Sequence, residues 1–289
     1  MIVIVGASGA VGVSTIRHLT KRGAQIRALT SNDDSAKRLR SLGVGETLVG
    51  DFRSDDDVAL AVNGADKVFL VSPRFTEDEA VIGLRVIAAA RAAKVGHFVF
   101  SSAFHPQMRQ MNHHWTKLLI EEALIESGLP FTILQPSMFM QNVRVEWNSV
   151  ANDGIYPRPY SAERKMSLID TEDLGEAAAI VLTEDGYAGA TFELCGPDSL
   201  THAEMAANFA EVLGRDVRAE ERDLGEWKKW AQGRGWAEWP IETYTKMCQH
   251  YDAHGYPGGN TLVLRTILGR EPTGYRAFAE RFAREMQGD

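Results

Sequence analysis

Cysteine is nearly missing from this chain of 289 residues: only Cys195 and Cys248 occur, too far apart in sequence to write down a disulfide framework or a paired-thiol zinc site. No metal centre is expected, and a reducing, cytoplasmic setting fits best. A basic surplus is lacking as well. Against 39 Asp and Glu stand 31 scattered Lys and Arg, for a net charge of -8, which excludes nucleic acid and an anionic membrane as partners. Long apolar runs are also absent. The opening Met1-Ile2-Val3-Ile4-Val5 is far short of a membrane span and reads as a strand, not a leader, because it runs straight into glycines. Tyrosine is missing from the whole first half, with none before Tyr156.

What is present describes an ordinary globular protein, 44% hydrophobic and 24% charged. Its length suits a large α/β domain with a smaller companion. Through residues 1–150, short β-branched runs alternate with helical patterns, as in a doubly wound parallel sheet of Rossmann type. The expected strands are Ile2 to Val5, Gln25 to Leu29, Glu46 to Val49, Lys67 to Val71, His97 to Phe100 and Thr132 to Leu134. Gly23, Gly43, Gly64, Gly96 and Gly128 close the helices between them. Residues 151–289 form a mostly helical substrate region, with part of 165–195 returning to the first domain. The stretch from Asp153 to Tyr160, rich in Gly, Pro and Tyr, reads as an irregular crossing segment.

The strongest single signal is Gly6-Ala7-Ser8-Gly9-Ala10-Val11-Gly12, which follows a strand and opens a helix. Gly6 permits the turn, Gly9 lets backbone N–H groups approach a pyrophosphate, and Gly12 brings the helix close to the sheet. The helix N-terminus adds the positive end of its dipole. Ser8, Ala10 and Val11 complete the expected phosphate cradle of a nicotinamide dinucleotide. The second strand should end beside the adenosine ribose, and there stand Ser31 and Asn32, able to bond either ribose form. Lys37 or Arg38 could reach a 2'-phosphate or could be solvated helix charges. Asp51 with Phe52 follows the third strand and could read the adenine edge or cap the next helix. Val71-Ser72-Pro73 should border the nicotinamide ribose.

Taken with Gly50-Asp51, His97 to Ser102, Lys117, Thr132-Ile133-Leu134-Gln135-Pro136, Phe139 to Asn142, Ser167 to Asp170 and Leu194-Cys195-Gly196-Pro197, these residues resemble the NmrA-like branch of the atypical short-chain dehydrogenase/reductases over essentially the whole chain. The resemblance implies binding of NADP, with NAD possible, and reduction of quinones, azo dyes or triphenylmethane dyes, or else redox sensing without turnover. NADP-preferring members place an arginine where this chain has Ser31. The resemblance further implies that Lys117 contacts the cofactor and that Phe139, Met140, Gln141 and Asn142 line the nicotinamide end of the cleft.

Short-chain enzymes that reduce ketones use a Tyr-x-x-x-Lys pair, but here His113 holds the tyrosine's place before Lys117. Tyrosine-dependent ketone reduction is therefore disfavoured, and His113 is the candidate proton donor near neutral pH, or else an exposed helix cap. Lys117 either touches the ribose or pairs with Glu121 on the surface. Arg144 would anchor a substrate anion only if it faces inward. Trp227, Trp230, Trp236 and Trp239 could lid a flat substrate or fill a helical core. Asp170 and Asp173 read as helix-capping residues rather than an acid/base pair. The expected function is an NAD(P)H-dependent reductase of a small aromatic or conjugated electrophile, acting as monomer or homodimer. The alternative is an NAD(P)-sensing regulator without turnover.

Overall fold

A computed structural model describes residues 1–288. Its first half alternates β1 (Ile2–Val5), α1 (Ala10–Lys21), β2 (Ile26–Thr30), α2 (Asp33–Ser41), β3 (Glu46–Val49), α3 (Asp55–Val62), β4 (Lys67–Val71), α4 (Glu79–Ala92), β5 (His97–Ser101), α5 (Asn112–Glu126) and β6 (Phe131–Pro136). The second half contains β7 (Met138–Phe139), β8 (Ile155–Arg158), β9 (Lys165–Ile169), α6 (Thr171–Thr183), β10 (Ala190–Leu194), β11 (Ser199–Thr201), α7 (His202–Leu213) and β12 (Arg218–Glu221). The chain then runs through α8 (Leu224–Gly233), α9 (Glu238–His254), α10 (Thr261–Leu268) and α11 (Tyr275–Gln287).

Seven parallel strands form the central sheet in the order β3-β2-β1-β4-β5-β6-β10. Central position explains composition. Every residue of β1 and β5 is buried, because helices cover both faces, while edge strand β3 is half open. The order turns back at β1, which has β2 on one side and β4 on the other. Connections leave these strands in opposite directions, so a crevice opens at their carboxyl ends. On one face α6 lies directly on α1, and only glycine fits at 175, where a Cβ would stand 2.1 Å from Ser14 Oγ.

The second half is interwoven with the first. Strand β10 pairs with β6 in the main sheet, and the apolar face of α10 joins the same core as α6. A separate core under α7, α9 and α11 is aromatic, built on Trp147, Tyr156, Phe209, Tyr275, Phe278 and Phe282. Between the two lie the short sheets β11-β9-β7 and β12-β8.

Two local expectations need correction. The left-handed residue after α4 is Lys94 (φ 54°), while Gly96 has no positive φ and instead donates its N–H to Asp66 O at 2.9 Å. The segment from Asp153 to Tyr160 is not irregular throughout: Gly154 (φ 68°) turns the chain into β8, which pairs in parallel with β12. Both errors have one physical source, a backbone partner distant in sequence that local composition does not encode.

Candidate functional site

The three glycines of the first loop stand under different constraints. Gly6 has φ 84°, and a Cβ there would come within 2.1 Å of Val71 O, where β1 meets β4. Gly12 would push a Cβ to 2.6 Å from Gly6 O and 2.7 Å from Ala7 O, so its absence of side chain lets α1 fold back onto the loop. Gly9 has neither constraint. Its φ of -75° suits any residue, and a Cβ would meet only Gly6 O at 3.6 Å. An exposed glycine at the N-cap of α1, with no acidic residue in the first turn, keeps space for a ligand. Ala10 is exposed beside it, Val11 is buried beneath, and Ser8 is half-buried on the loop.

At the end of β2, Ser31 and Asn32 are exposed as expected, but Asn32 caps α2 by accepting the Ser35 N–H at 2.8 Å. Its amide N–H₂ donates to Ser31 Oγ at 3.2 Å. Asp33 and Asp34 occupy the first turn of α2. Arg38 is not merely solvated: its Nη2 donates to Ser8 O at 2.8 Å, placing a guanidinium against the glycine loop. Asp51 is exposed at the end of β3 and accepts the Arg53 N–H at 2.9 Å, while Ser54, not Asp51, caps α3. Phe52 is half-buried under the Arg53 guanidinium.

Lys117 is buried, not on the surface. Its Nζ donates to Glu79 Oε1 at 2.7 Å and to Ser72 Oγ at 2.9 Å, and Ser72 in turn donates to Glu79 at 2.7 Å. The alternative, a surface pair with Glu121, does not occur, and both Glu121 oxygens accept from the Gln135 amide. This triad ties α4 and α5 to the turn Val71-Ser72-Pro73 beside Gly6. Glu79 announced none of this in sequence, since a glutamate opening a helix is ordinarily a dipole partner. His113 sits behind the same turn, 5.0 Å from the Phe75 ring in edge contact, with Nδ1 unpartnered among the described residues. Burial, reinforced by His114, Lys117 and Arg74, holds its pKa well below the ordinary histidine value. A charged imidazole ready to give a proton near neutrality is therefore not what the fold supplies.

Beyond that turn opens a cavity of about 710 Å³, walled by Phe139, Met140, Asn142 and Arg74 on one side and by Trp227, Trp230, Trp236 and Tyr244 on the other. Three of the four clustered tryptophans thus face a cavity, and Trp227 lies 4.2 Å from the Tyr244 ring. Gln141 looks elsewhere: its Nε2 donates to Asp170 at 2.7 Å and its Oε1 accepts the Thr171 N–H at 3.0 Å, so it fastens β7 to α6. Asp170 caps α6 through the Glu172 N–H, and Asp173 accepts from Arg270 and Thr273, as structural carboxylates. Arg144 faces outward to Glu285. The inward guanidinium is Arg158, 8% exposed, whose Nη2 donates to Asn142 O at 2.9 Å. Burial opposes its charge, but Tyr156, Tyr160, Tyr244 and Glu146 outweigh that and raise its pKa. Its sequence signal was its place between two tyrosines in Tyr156-Pro157-Arg158-Pro159-Tyr160.

No helix among the described residues is long and apolar enough to cross a membrane. The chain is 32% identical over 285 residues to the NAD(P)H azoreductase of Xenophilus azovorans, covering 98% of each. It is 31% identical over 226 residues to the (4-alkanoyl-5-oxo-2,5-dihydrofuran-3-yl)methyl phosphate reductase of Streptomyces griseus, covering 76% of this chain and 77% of that one. An NADPH-dependent quinone oxidoreductase from Escherichia coli, solved with NADPH, superposes with a TM-score of 0.85 at 22% identity, over 98% of this chain and 100% of that one. A model of the NmrA-like family matches residues 1–258, and the chain belongs to that family.

Proposed function

We propose that this protein is an NAD(P)H-dependent reductase of small aromatic or conjugated electrophiles, with NADP as its main nucleotide. The observation that carries the reading is the junction of two features. A glycine loop with open space at Gly9, the N-cap of α1, lies one strand away from an aromatic cavity of about 710 Å³. The bound dinucleotide supplies hydride, and the chain's own residues bind and orient the reactants. Gly9, Ala10 and Val11 present N–H groups to the pyrophosphate, with Ser8 beside them. Arg38 is the charge available for a 2'-phosphate in the absence of an arginine at 31, assisted by Ser31. Asp51 and Phe52 border the adenine.

Lys117 has three N–H donors, of which Glu79 and Ser72 take two, leaving the third for the ribose at the nicotinamide end. The triad holds Val71-Ser72-Pro73 in place for the ring, and Phe139 walls its far side. Met140 and Asn142 face the substrate. His113, kept neutral, supports the turn through Phe75, so protonation after hydride arrival falls to water entering from the cavity mouth. That suits quinones and other acceptors whose reduced forms are weakly basic. The test is oxidation of NADPH, followed by its absorbance, with a panel of quinones, azo dyes and enones. Turnover of at least one class is expected. Tight NADPH binding with no turnover on any of them would instead support a regulator that only senses the nucleotide.

A further inference from the structure

Helix α8 forms part of the cavity wall, yet little fastens it there. Of its ten residues only Ala231 is buried. Among the described residues, no hydrogen bond or ion pair joins residues 224–236 to another element; their polar contacts stay within the segment or go to the cap residue Asp223. Aromatic contact takes their place. Trp227 lies 4.2 Å from the Tyr244 ring of α9 and 6.0 Å from Trp236, which in turn stands 6.3 Å from Trp230. Helix α11 shows the contrast: it buries Tyr275, Phe278 and Phe282, and Arg281 ties it to the buried Asp170.

The segment is also built to turn. Gly235 has φ 75° in the connection to α9, and every residue from Gln232 to Glu238 is exposed. Swinging α8 outward therefore separates ring faces without leaving a buried polar group unpaired, and such openings cost far less than global unfolding. The cavity mouth favours the opposite motion. Val145, in the helical turn after β7, is 77% exposed, and Trp230 and Trp236 are 49% and 44% exposed, although all three line the cavity. Large apolar side chains thus stand in water on two rims of one opening, and bringing the rims together removes that surface from water.

We propose that α8 is a lid, part-open in this structure, which closes on an aromatic acceptor by carrying Trp230 and Trp236 toward Val145. The inference rests on the reductase reading above for its occupant and adds a motion that the reading does not require. The acceptor offers a ring face to Trp227 and bridges the two rims, so the closed lid is stable only while the cavity is filled. Product leaves when α8 swings out again.

Hydrogen exchange followed by mass spectrometry tests this on the unaltered protein. With NADP+ present, the amides of α8 should exchange roughly tenfold or more faster than those of the buried turns of α9 around Thr245 and Cys248. Saturating menadione, which oxidised nucleotide cannot reduce, should then slow α8 roughly tenfold. An α8 that exchanges as slowly as α9 without menadione, or that menadione does not slow, overturns the proposal. Val145→Asp, at an exposed position, should leave α8 exchange without menadione unchanged and remove most of the slowing, while Val145→Leu keeps it. Equal slowing in all three proteins overturns closure onto Val145. Oxidation of NADPH by menadione is measured separately. Slowing of α8 without that oxidation, or without oxidation by any other quinone, would leave the lid standing while the reductase reading fell.

Discussion

The glycine-loop end and the cavity end of this molecule are made of different materials. Backbone makes the first: three glycines within seven residues, one helix terminus, and strand ends brought together by a parallel sheet. Side chains make the second, and they arrive from the turn after β4, from β8, and from α8 and α9. A backbone site is specified locally, because turn geometry and helix polarity follow from a few adjacent residues. A side-chain site exists only after distant elements have packed. The difference also divides the tasks, since a pyrophosphate is common to all dinucleotides whereas the substrate must be told from its neighbours.

Three single substitutions and one double variant would break or sharpen that division. The largest effect is expected at the seam between the two ends, where Lys117→Met would strand Glu79, a carboxylate only 1% exposed, without its cation. Stability should fall by about 3–5 kcal/mol in urea denaturation. Adding Glu79→Gln should recover part of that loss, and a double variant as unstable as the single would show the pair to be unimportant. Next comes the contrast between two glycines of one loop. Gly6→Ala forces a Cβ onto Val71 O in a left-handed conformation and should cost about 3 kcal/mol or more. Gly9→Ala meets no protein atom closer than 3.6 Å, so the fold should change by under about 1 kcal/mol while the Kd for NADPH rises roughly tenfold. Unchanged NADPH binding in Gly9→Ala would move the nucleotide off this loop.

The same division governed what could be read from the sequence. The first six strands were legible to within about two residues, because buried parallel strands read as short apolar runs, whereas β7 was not expected. The glycine loop was legible for the same local reason. Lys117 was legible as a residue but not in its partner, because Glu79 lies 38 residues away on another helix. Arg144 and Arg158 stand close in sequence, yet one faces Glu285 and the other the Asn142 carbonyl, partners that local sequence does not show.

The most direct test of the account is a crystal structure with NADP bound. The account predicts pyrophosphate oxygens on the N–H groups of Gly9 and Ala10, the 2'-phosphate within reach of Arg38 and Ser31, and the nicotinamide between Pro73 and Phe139, facing the cavity of Arg74 and the tryptophans. A nucleotide lying in the reverse direction, or a nicotinamide that does not open onto that cavity, would contradict it.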